Sequence, residues 1–125
     1  MTHDFSIQSG QGAYQVHFVS SVADAIALLA PHRPSGFVID RHVFELHRST
    51  LQTLTGNAPI LFLDATEEEK TLEVGVPKVT SWFQEHQFRK TSTVVAIGGG
   101  IIQDIVTFSA HIFYRGIKWV FLPTT

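Results

Sequence analysis

The chain has 125 residues, of which 44% are hydrophobic and 16% charged, and its formal net charge is −2. This length suits one domain with a substantial core, and the composition is typical of a soluble globular α/β protein. The small net charge, without any cluster of Lys and Arg, gives no indication of nucleic acid or a membrane surface as partner. The sequence has no cysteine, which excludes disulfides and thiolate metal sites and suits the cytoplasm, where we expect the protein to act.

The hydrophobic pattern predicts the elements of the fold in chain order. Apolar and polar residues alternate at 5–8 and 14–18, around the turn residues 10–12, which predicts a β-hairpin at a sheet edge. The rest of the pattern predicts a helix at 22–29 capped by Ser20 or Ser21, a strand at 37–40, a helix at 42–54, a strand at 59–63, a helix at 79–86, a strand at 93–97, a helix at 101–114 and a strand at 118–122. Strands that alternate with helices predict one α/β domain, with a mostly parallel sheet covered by helices on both faces.

Three consecutive glycines, residues 98–100, follow an apolar strand and precede a helix. Because glycine has no β-carbon, a ligand can approach the backbone amides of this turn closely. The N-terminus of the following helix, with Asp104 in its first turn, carries unpaired N–H groups and a partial positive charge. We interpret this glycine turn as a site for a nucleotide phosphate, and the alternative is a tight strand-to-helix turn that binds no ligand.

The sequence ends at residue 125, directly after a strand and with no helix to follow it. The carboxyl ends of the strands are where open α/β sheets bind ligands, and a natural domain seldom stops there. We therefore expect the chain to be a fragment of a longer protein.

Four separate motifs appear in order at the spacings found in one enzyme family. They are Glu67 and Lys70 in the segment 65–73, the glycine turn with Asp104, Arg115-Gly116 with Phe108 before it, and Pro-Thr-Thr at 123–125. Over residues 35–125 these motifs resemble the 3-dehydroquinate synthase family of sugar phosphate cyclases. In that family a strand ends in Gly-Gly-Gly, two aliphatic residues, Gly and Asp. A helix ending in Arg-Gly follows, and the next strand ends in Pro-Thr-Thr.

The resemblance implies that residues 1–125 form the N-terminal, Rossmann-like domain that holds NAD. Full-length family enzymes are lyases of the shikimate pathway, and they convert a seven-carbon phosphorylated sugar acid (DAHP) to 3-dehydroquinate with elimination of phosphate. Sister cyclases form other carbocycles. A C-terminal helical domain supplies a divalent metal site, for zinc or cobalt, whose ligands lie outside this chain. We therefore expect this fragment to be inactive alone and the full-length enzyme to be a homodimer.

The resemblance places the cofactor along the glycine turn. The backbone amides of Gly99, Gly100 and Ile101 would lie against the NAD pyrophosphate, and Asp104 would lie near the nicotinamide. From local sequence alone, Asp104 could equally be an acid that the helix dipole favours in a first turn, worth about 0.3–1 kcal/mol.

Two further groups would bind ribose. Asp40 ends a strand and would bind the adenosine ribose hydroxyls, as acids do in dinucleotide folds, with His42 in reach. Alternatively, Asp40 caps the helix that follows and His42 is a solvated loop residue. Glu67 and Lys70 would share one face of a helical turn and hydrogen-bond a ribose, or they form a surface ion pair worth little. The two acids between them are expected to be solvated.

The two ends of the last strand carry the remaining candidates. Thr124 and Thr125, at its carboxyl end, would contact NAD through their hydroxyls; without the resemblance they are ordinary strand formers. Arg115, before the strand, would bind a substrate phosphate, often in the neighbouring subunit's site, because a guanidinium fork matches phosphate oxygens. The alternative for Arg115 is a cation that the helix dipole favours at a C-terminus.

Because the sequence departs from the family pattern at two places, the resemblance does not decide which substrate the enzyme converts. Gln103 replaces a glycine before the aspartate, and Ala65-Thr66 replace Asp-Gly. A second hypothesis is the NAD-binding domain of an iron-containing alcohol or glycerol dehydrogenase, which shares a Gly-Gly-Gly-x-x-x-Asp turn, and a third is a non-catalytic nucleotide-binding or oligomerisation module. The segment from Tyr114 to the Pro-Thr-Thr end favours the cyclase.

Overall fold

The computed structural model describes residues 4–9 and 12–124, and six strands and five helices lie within these ranges. The strands are β1 (Phe5–Ser9), β2 (Gly12–Val16), β3 (Gly36–Asp40), β4 (Ile60–Leu63), β5 (Thr93–Gly98) and β6 (Lys118–Pro123). The helices are α1 (Val22–Leu29), α2 (Arg41–Leu46), α3 (Arg48–Thr55), α4 (Gly75–Glu85) and α5 (Gly100–Ile112). Short 3₁₀ turns follow α1 and α5. The order of elements confirms the predicted α/β class.

The four strands β3 to β6 form a parallel sheet in the order β4-β3-β5-β6. In the register of its centre, Val38 lies beside Leu61 on one side and Ala96 on the other. The hairpin β1–β2 is antiparallel, as predicted. It forms a two-stranded sheet of its own and does not extend the edge of the parallel sheet.

Helices cover the parallel sheet on both faces, which confirms the predicted layers. On one face, α4 and α5 pack on the sheet through a core that includes Phe83, Val94 and Ile102. On the other face, α1, α2 and α3 pack through a second core that includes Leu29 and Val95. Because side chains alternate along a strand, neighbours in β5 point into opposite cores. No helix within residues 4–9 and 12–124 has both the length and the apolar character needed to cross a membrane.

The helix predicted at 42–54 is two helices, α2 and α3. They are separated at His47, whose φ of −129° and ψ of 37° lie outside the helical region. The break turns Phe44 and Leu51 into the same core, whereas Leu46, at the end of α2, is 63% exposed. No glycine or proline marks this break, so the sequence pattern reads as continuous.

The other helices agree with their predictions except at their ends. Ser21 caps α1 by accepting a hydrogen bond from the Asp24 N–H at 3.1 Å. The fourth helix begins at Gly75, four residues before the predicted start, and α5 ends two residues before its predicted end. Directly after α5, Tyr114 and Arg115 adopt left-handed backbone conformations with φ of 48° and 62°.

Candidate functional site

The carboxyl ends of β3 and β5 lie side by side where the chain reverses its direction across the sheet. From β3 the chain moves outward to β4, returns to the other side of β3 to form β5, and continues to β6. Open α/β sheets bind ligands in the crevice at such a switch point. Asp40 ends β3 and Gly98 ends β5, and a β-carbon on Gly98 would lie 3.2 Å from the Asp40 Cβ. Two predicted parts of the site are therefore adjacent.

The three glycines of the turn serve different purposes. A β-carbon on Gly98 would lie 2.7 Å from the Ile102 Cγ1, so this position allows no side chain. Among the described residues, nothing lies within 4 Å of a β-carbon on Gly100. Gly99 precedes α5, and no side chain of the described residues caps that helix. The first amides of a 13-residue helix are thus open to a ligand, as the glycine turn predicts.

The end of β6 lies against the glycine turn. The Thr124 N–H donates a hydrogen bond to the Gly98 carbonyl at 2.9 Å, and Thr124 is exposed. Thr124 therefore lies at the same edge of the sheet as the glycine turn. Thr125 lies outside the described residues.

Asp104 lies in the second turn of α5, not in the first as predicted, because the helix already begins at Gly100. Its Oδ2 lies 2.8 Å from the Lys70 Nζ. The hydrogen bond and the negative charge of Asp104 raise the pKa of Lys70, with a smaller contribution from the charge of Glu67. As expected, Glu67 and Lys70 lie in one helical turn, in which the Lys70 N–H donates to the Thr66 carbonyl at 3.2 Å, and Lys70 pairs with Asp104 of α5.

Asp40 is nearly buried and caps α2. It is 9% exposed, and its Oδ1 accepts a hydrogen bond from the His42 N–H at 2.9 Å. The capping role that the sequence left open is therefore real. Within residues 4–9 and 12–124, Oδ2 of Asp40 has no hydrogen-bond partner, and the exposed His42 lies beside it.

An open cleft of about 490 Å³ adjoins Asp40 between the ends of β3 and β4. Its lining residues are Asp40, Arg41, His42, Glu45, Asp64, Ala65 and Thr66. The Arg41 Nε lies 3.1 Å from the Asp64 Oδ1, and its guanidinium stands 5.8 Å from the centre of the Phe62 ring. The sequence did not indicate this ion pair, because its partners follow different strands and lie 23 residues apart.

Comparison with known proteins identifies the family. A family model for the N-terminal part of 3-dehydroquinate synthase matches residues 60–125, just over half of the chain. The chain belongs to the 3-dehydroquinate synthase family. The 3-dehydroquinate synthase of Pyrobaculum islandicum is 40% identical over 92 residues, 74% of this chain and 26% of that protein. That of Paracoccus denitrificans is 32% identical over 126 residues, 97% of this chain and 32% of that protein. The chain thus spans roughly a third or less of the length of these relatives.

Solved structures of sugar phosphate cyclases share the fold. A 2-deoxy-scyllo-inosose synthase complexed with carbaglucose-6-phosphate, NAD+ and Co2+ has a TM-score of 0.77 at 21% identity, over 97% of this chain and 35% of that one. A 2-epi-5-epi-valiolone synthase from Streptomyces hygroscopicus, with NAD+ and Zn2+ bound, has a TM-score of 0.71 at 26% identity, over 88% and 34% of the two chains. Membership of the 3-dehydroquinate synthase family also favours the first hypothesis over an iron-containing dehydrogenase.

One position that departs from the family pattern lies inside the site. Gln103 is half-buried in the first turn of α5, and its backbone N–H donates to the Gly99 carbonyl at 3.1 Å. The helix therefore accommodates a long side chain where the family has glycine. The other departure, Ala65-Thr66, lines the cleft beside Asp40.

Among the predicted site residues within 4–9 and 12–124, Arg115 is the one that the structure does not bring to this edge. It is exposed and follows the carboxyl end of α5, at the opposite edge of the sheet from the glycine turn. Its left-handed backbone also places it after the helix, in a 3₁₀ turn. A site formed by Gly98, Asp40 and Asp104 therefore does not include Arg115 of the same chain.

The expectation of two solvated acids beside Lys70 is half right. Glu68 is exposed, but Glu69 is 7% exposed, and its Oε1 lies 2.6 Å from the Lys78 Nζ. No local pattern indicates this pair, because its members lie nine residues apart in a turn and a helix. Within residues 4–9 and 12–124, no three His, Asp or Glu side chains are grouped to hold a metal ion. The described residues therefore do not fit a resident metal.

Proposed function

We propose that this chain is the NAD-binding domain of a 3-dehydroquinate synthase or of a sister sugar phosphate cyclase. The observation that carries the proposal is the uncapped start of α5, with open space around Gly100 in the described part of the structure. A pyrophosphate requires such access to backbone amides. Asp40 stands beside this turn with a carboxylate oxygen to spare, which suits a ribose. The residues present therefore fit NAD.

In this proposal the glycine turn holds the phosphates and the cleft holds the adenosine. The amides of Gly99, Gly100 and Ile101 donate to the pyrophosphate, and the dipole of α5 favours its charge. The Oδ2 of Asp40 accepts from the ribose hydroxyls while Oδ1 keeps its bond to the His42 amide. His42 lines the same cleft and contacts the adenosine.

The ion pair between Lys70 and Asp104 orients the nicotinamide half of the cofactor. Lys70 donates and Asp104 accepts, so together they can hydrogen-bond a ribose and an amide. Glu67 adds a carboxylate next to Lys70, and the hydroxyls of Thr124 and Thr125 contact the cofactor from the end of β6. When bound, NAD supplies a centre that accepts a hydride from the substrate and returns it.

The proposed reaction of the full-length enzyme is the conversion of DAHP to 3-dehydroquinate with phosphate elimination, in the cytoplasm. We infer that the fragment alone is inactive, because a substrate phosphate contact and the divalent metal site, for zinc or cobalt, would require the rest of the protein. The full-length enzyme would be a homodimer in which Arg115 reaches the partner's phosphorylated sugar acid. Gln103 and Ala65-Thr66 leave a sister cyclase as the alternative within the same family.

A calorimetric titration of this chain with NAD+ tests the cofactor site. We expect saturable binding, and Asp104→Ala should weaken it by roughly 10- to 100-fold, the effect of losing one hydrogen bond to a charged group. Glu68→Ala is the matched control, because it removes another exposed acid, from the segment that carries Lys70, and should leave the affinity unchanged. A folded chain that binds no NAD+ would contradict the proposal.

The full-length enzyme distinguishes a cyclase from a dehydrogenase. A cyclase reduces its intermediate with the hydride that it removed earlier, so turnover should release phosphate without net accumulation of NADH. Absorbance at the NADH band and a phosphate assay, recorded together, measure both. Stoichiometric NADH release would contradict the cyclase assignment and leave the NAD site intact.

A further inference from the structure

The segment 64–74, which connects β4 to α4, contains a buried acid with one partner. Glu69 is 7% exposed, and its Oε1 lies 2.6 Å from the Nζ of Lys78, the fourth residue of α4. Its other oxygen, Oε2, is buried and has no hydrogen-bond partner among the described residues. A buried carboxylate is costly unless it is paired, so Glu69 keeps this position because of Lys78.

Close contacts tie the backbone of Glu69 to its surroundings. The Glu69 N–H donates to the Thr66 Oγ1 at 3.2 Å, and the Glu69 carbonyl accepts from the Thr71 N–H at 2.8 Å. The same carbonyl lies so close to Gly75 that any β-carbon there would overlap it. Lys70 follows Glu69 directly in the chain, so a displacement of Glu69 also displaces Lys70.

We propose that the ion pair between the buried Glu69 and the half-exposed Lys78 positions Lys70 opposite Asp104 and thereby sets the affinity of the cofactor site. Lys78 is then a positioning residue, which acts on the cofactor through Lys70 and does not touch it. Without Lys78, the buried carboxylate gains solvation only by turning outward, and this movement takes Lys70 away from Asp104. The inference rests on the proposed NAD site and assigns to α4 a role in it.

An NMR titration of the Lys70 ammonium tests the positioning without any cofactor. In the unaltered chain Asp104 raises the pKa of Lys70 above its ordinary value of 10.5. In Lys78→Met we expect that pKa to return toward 10.5, whereas Lys78→Arg, which keeps the cation, should preserve the shift. Lys90→Met is the matched control, because it removes an exposed cation from the turn before β5. A Lys70 pKa that stays raised in Lys78→Met would overturn the proposal.

Calorimetric titration with NAD+ then measures the consequence for binding. We expect Lys78→Met to weaken NAD+ by about tenfold and Lys78→Arg to change it by less than about twofold. In a Lys70→Met background, Lys78→Met should cause no further loss, because its effect passes through Lys70. An equal loss in both backgrounds would indicate a general effect on folding and would refute the positioning role. If the unaltered chain binds no NAD+, the proposed function fails, and the pKa titration alone decides the role of Lys78.

Discussion

The substitution Gly98→Ala tests whether packing or ligand access requires the first glycine of the turn. The added methyl would lie 2.7 Å from the Ile102 Cγ1, 3.0 Å from the Ile102 Cβ and 3.2 Å from the Asp40 Cβ. Ile102 is fully buried and cannot move aside. Forcing an extra carbon into a packed interior costs about 1–3 kcal/mol. We therefore expect a lower unfolding free energy by that amount, or a melting temperature lower by roughly 4 °C for each kcal/mol.

Gly100→Ala is the matched control, since the same methyl meets open space in the described structure. Gly100 is the first residue of α5, where alanine is the better helix former by up to about 1 kcal/mol. This variant should be as stable as the unaltered chain or slightly more stable. It should nevertheless bind NAD+ more weakly, because its methyl stands where we place the pyrophosphate.

Urea unfolding followed by tryptophan fluorescence, together with NAD+ calorimetry, measures both effects. Trp82 is 5% exposed, so its emission reports loss of the core. The two substitutions should have different effects: Gly98→Ala should lower the stability, and Gly100→Ala should lower the NAD+ affinity. Unchanged stability in Gly98→Ala would refute the packing interpretation, and unchanged NAD+ affinity in Gly100→Ala would refute the position of the pyrophosphate.

Two further predictions concern charged residues of the site. Asp40→Ala should lower the unfolding free energy by about 1 kcal/mol through loss of the cap on α2, and it should also weaken NAD+ binding. Asp40→Asn can keep the bond to the His42 amide and should therefore lose mainly NAD+ affinity. Thermal unfolding measures the stability and calorimetric titration the affinity; equal stability in the two variants would contradict the capping role. The raised pKa of Lys70 predicts stability that is present below pH 10.5 and is lost as the pH rises through the higher folded value. Lys70→Met should abolish that pH dependence, and an unchanged alkaline profile would contradict the Lys70–Asp104 pair.

Sequence reasoning predicts most of this fold because its signals are local. The apolar strands at β3 and β5 lack alternation, as strands buried on both faces do, and the structure places them at the centre of the sheet. The glycine turn and Asp40 are predicted for the same reason, since each directly follows such a strand. That they meet at one switch point depends on the strand order, which the local sequence signals do not give.

The sequence fails where the decisive contact is distant in the chain. The break at His47 has no glycine or proline to mark it, and it allows Phe44 before it and Leu51 after it to enter the same core. The burial of Glu69 depends on Lys78 in the next helix, and the pairing of Lys70 depends on Asp104 in the helix after that. Charged residues in a turn are usually solvated, so composition favours the wrong prediction for Glu69. These contacts are tertiary, and no periodicity encodes them.

The position of Arg115 separates cofactor binding from substrate binding. From Gly100 to Ile112, α5 rises about 18 Å at 1.5 Å per residue, and Arg115 follows its far end. An arginine side chain cannot cover that distance, so it contributes nothing to NAD bound at the glycine turn of its own chain. Arg115→Ala should therefore leave the NAD+ affinity of this chain unchanged within about twofold, the precision of a comparison between two titrations.

In the full-length enzyme the same substitution should raise KM for the phosphorylated substrate, because a guanidinium that contacts a phosphate contributes to its binding. Mixed dimers of Arg115→Ala with a variant that lacks the cofactor site test whether the arginine acts across subunits. If it does, the mixed dimers should show about half of the normal activity, because the intact cofactor site on the Arg115→Ala chain faces the partner that keeps the arginine. Mixed dimers without activity would show instead that Arg115 serves its own chain, and the fold described above would then have to bring both ends of α5 to one site.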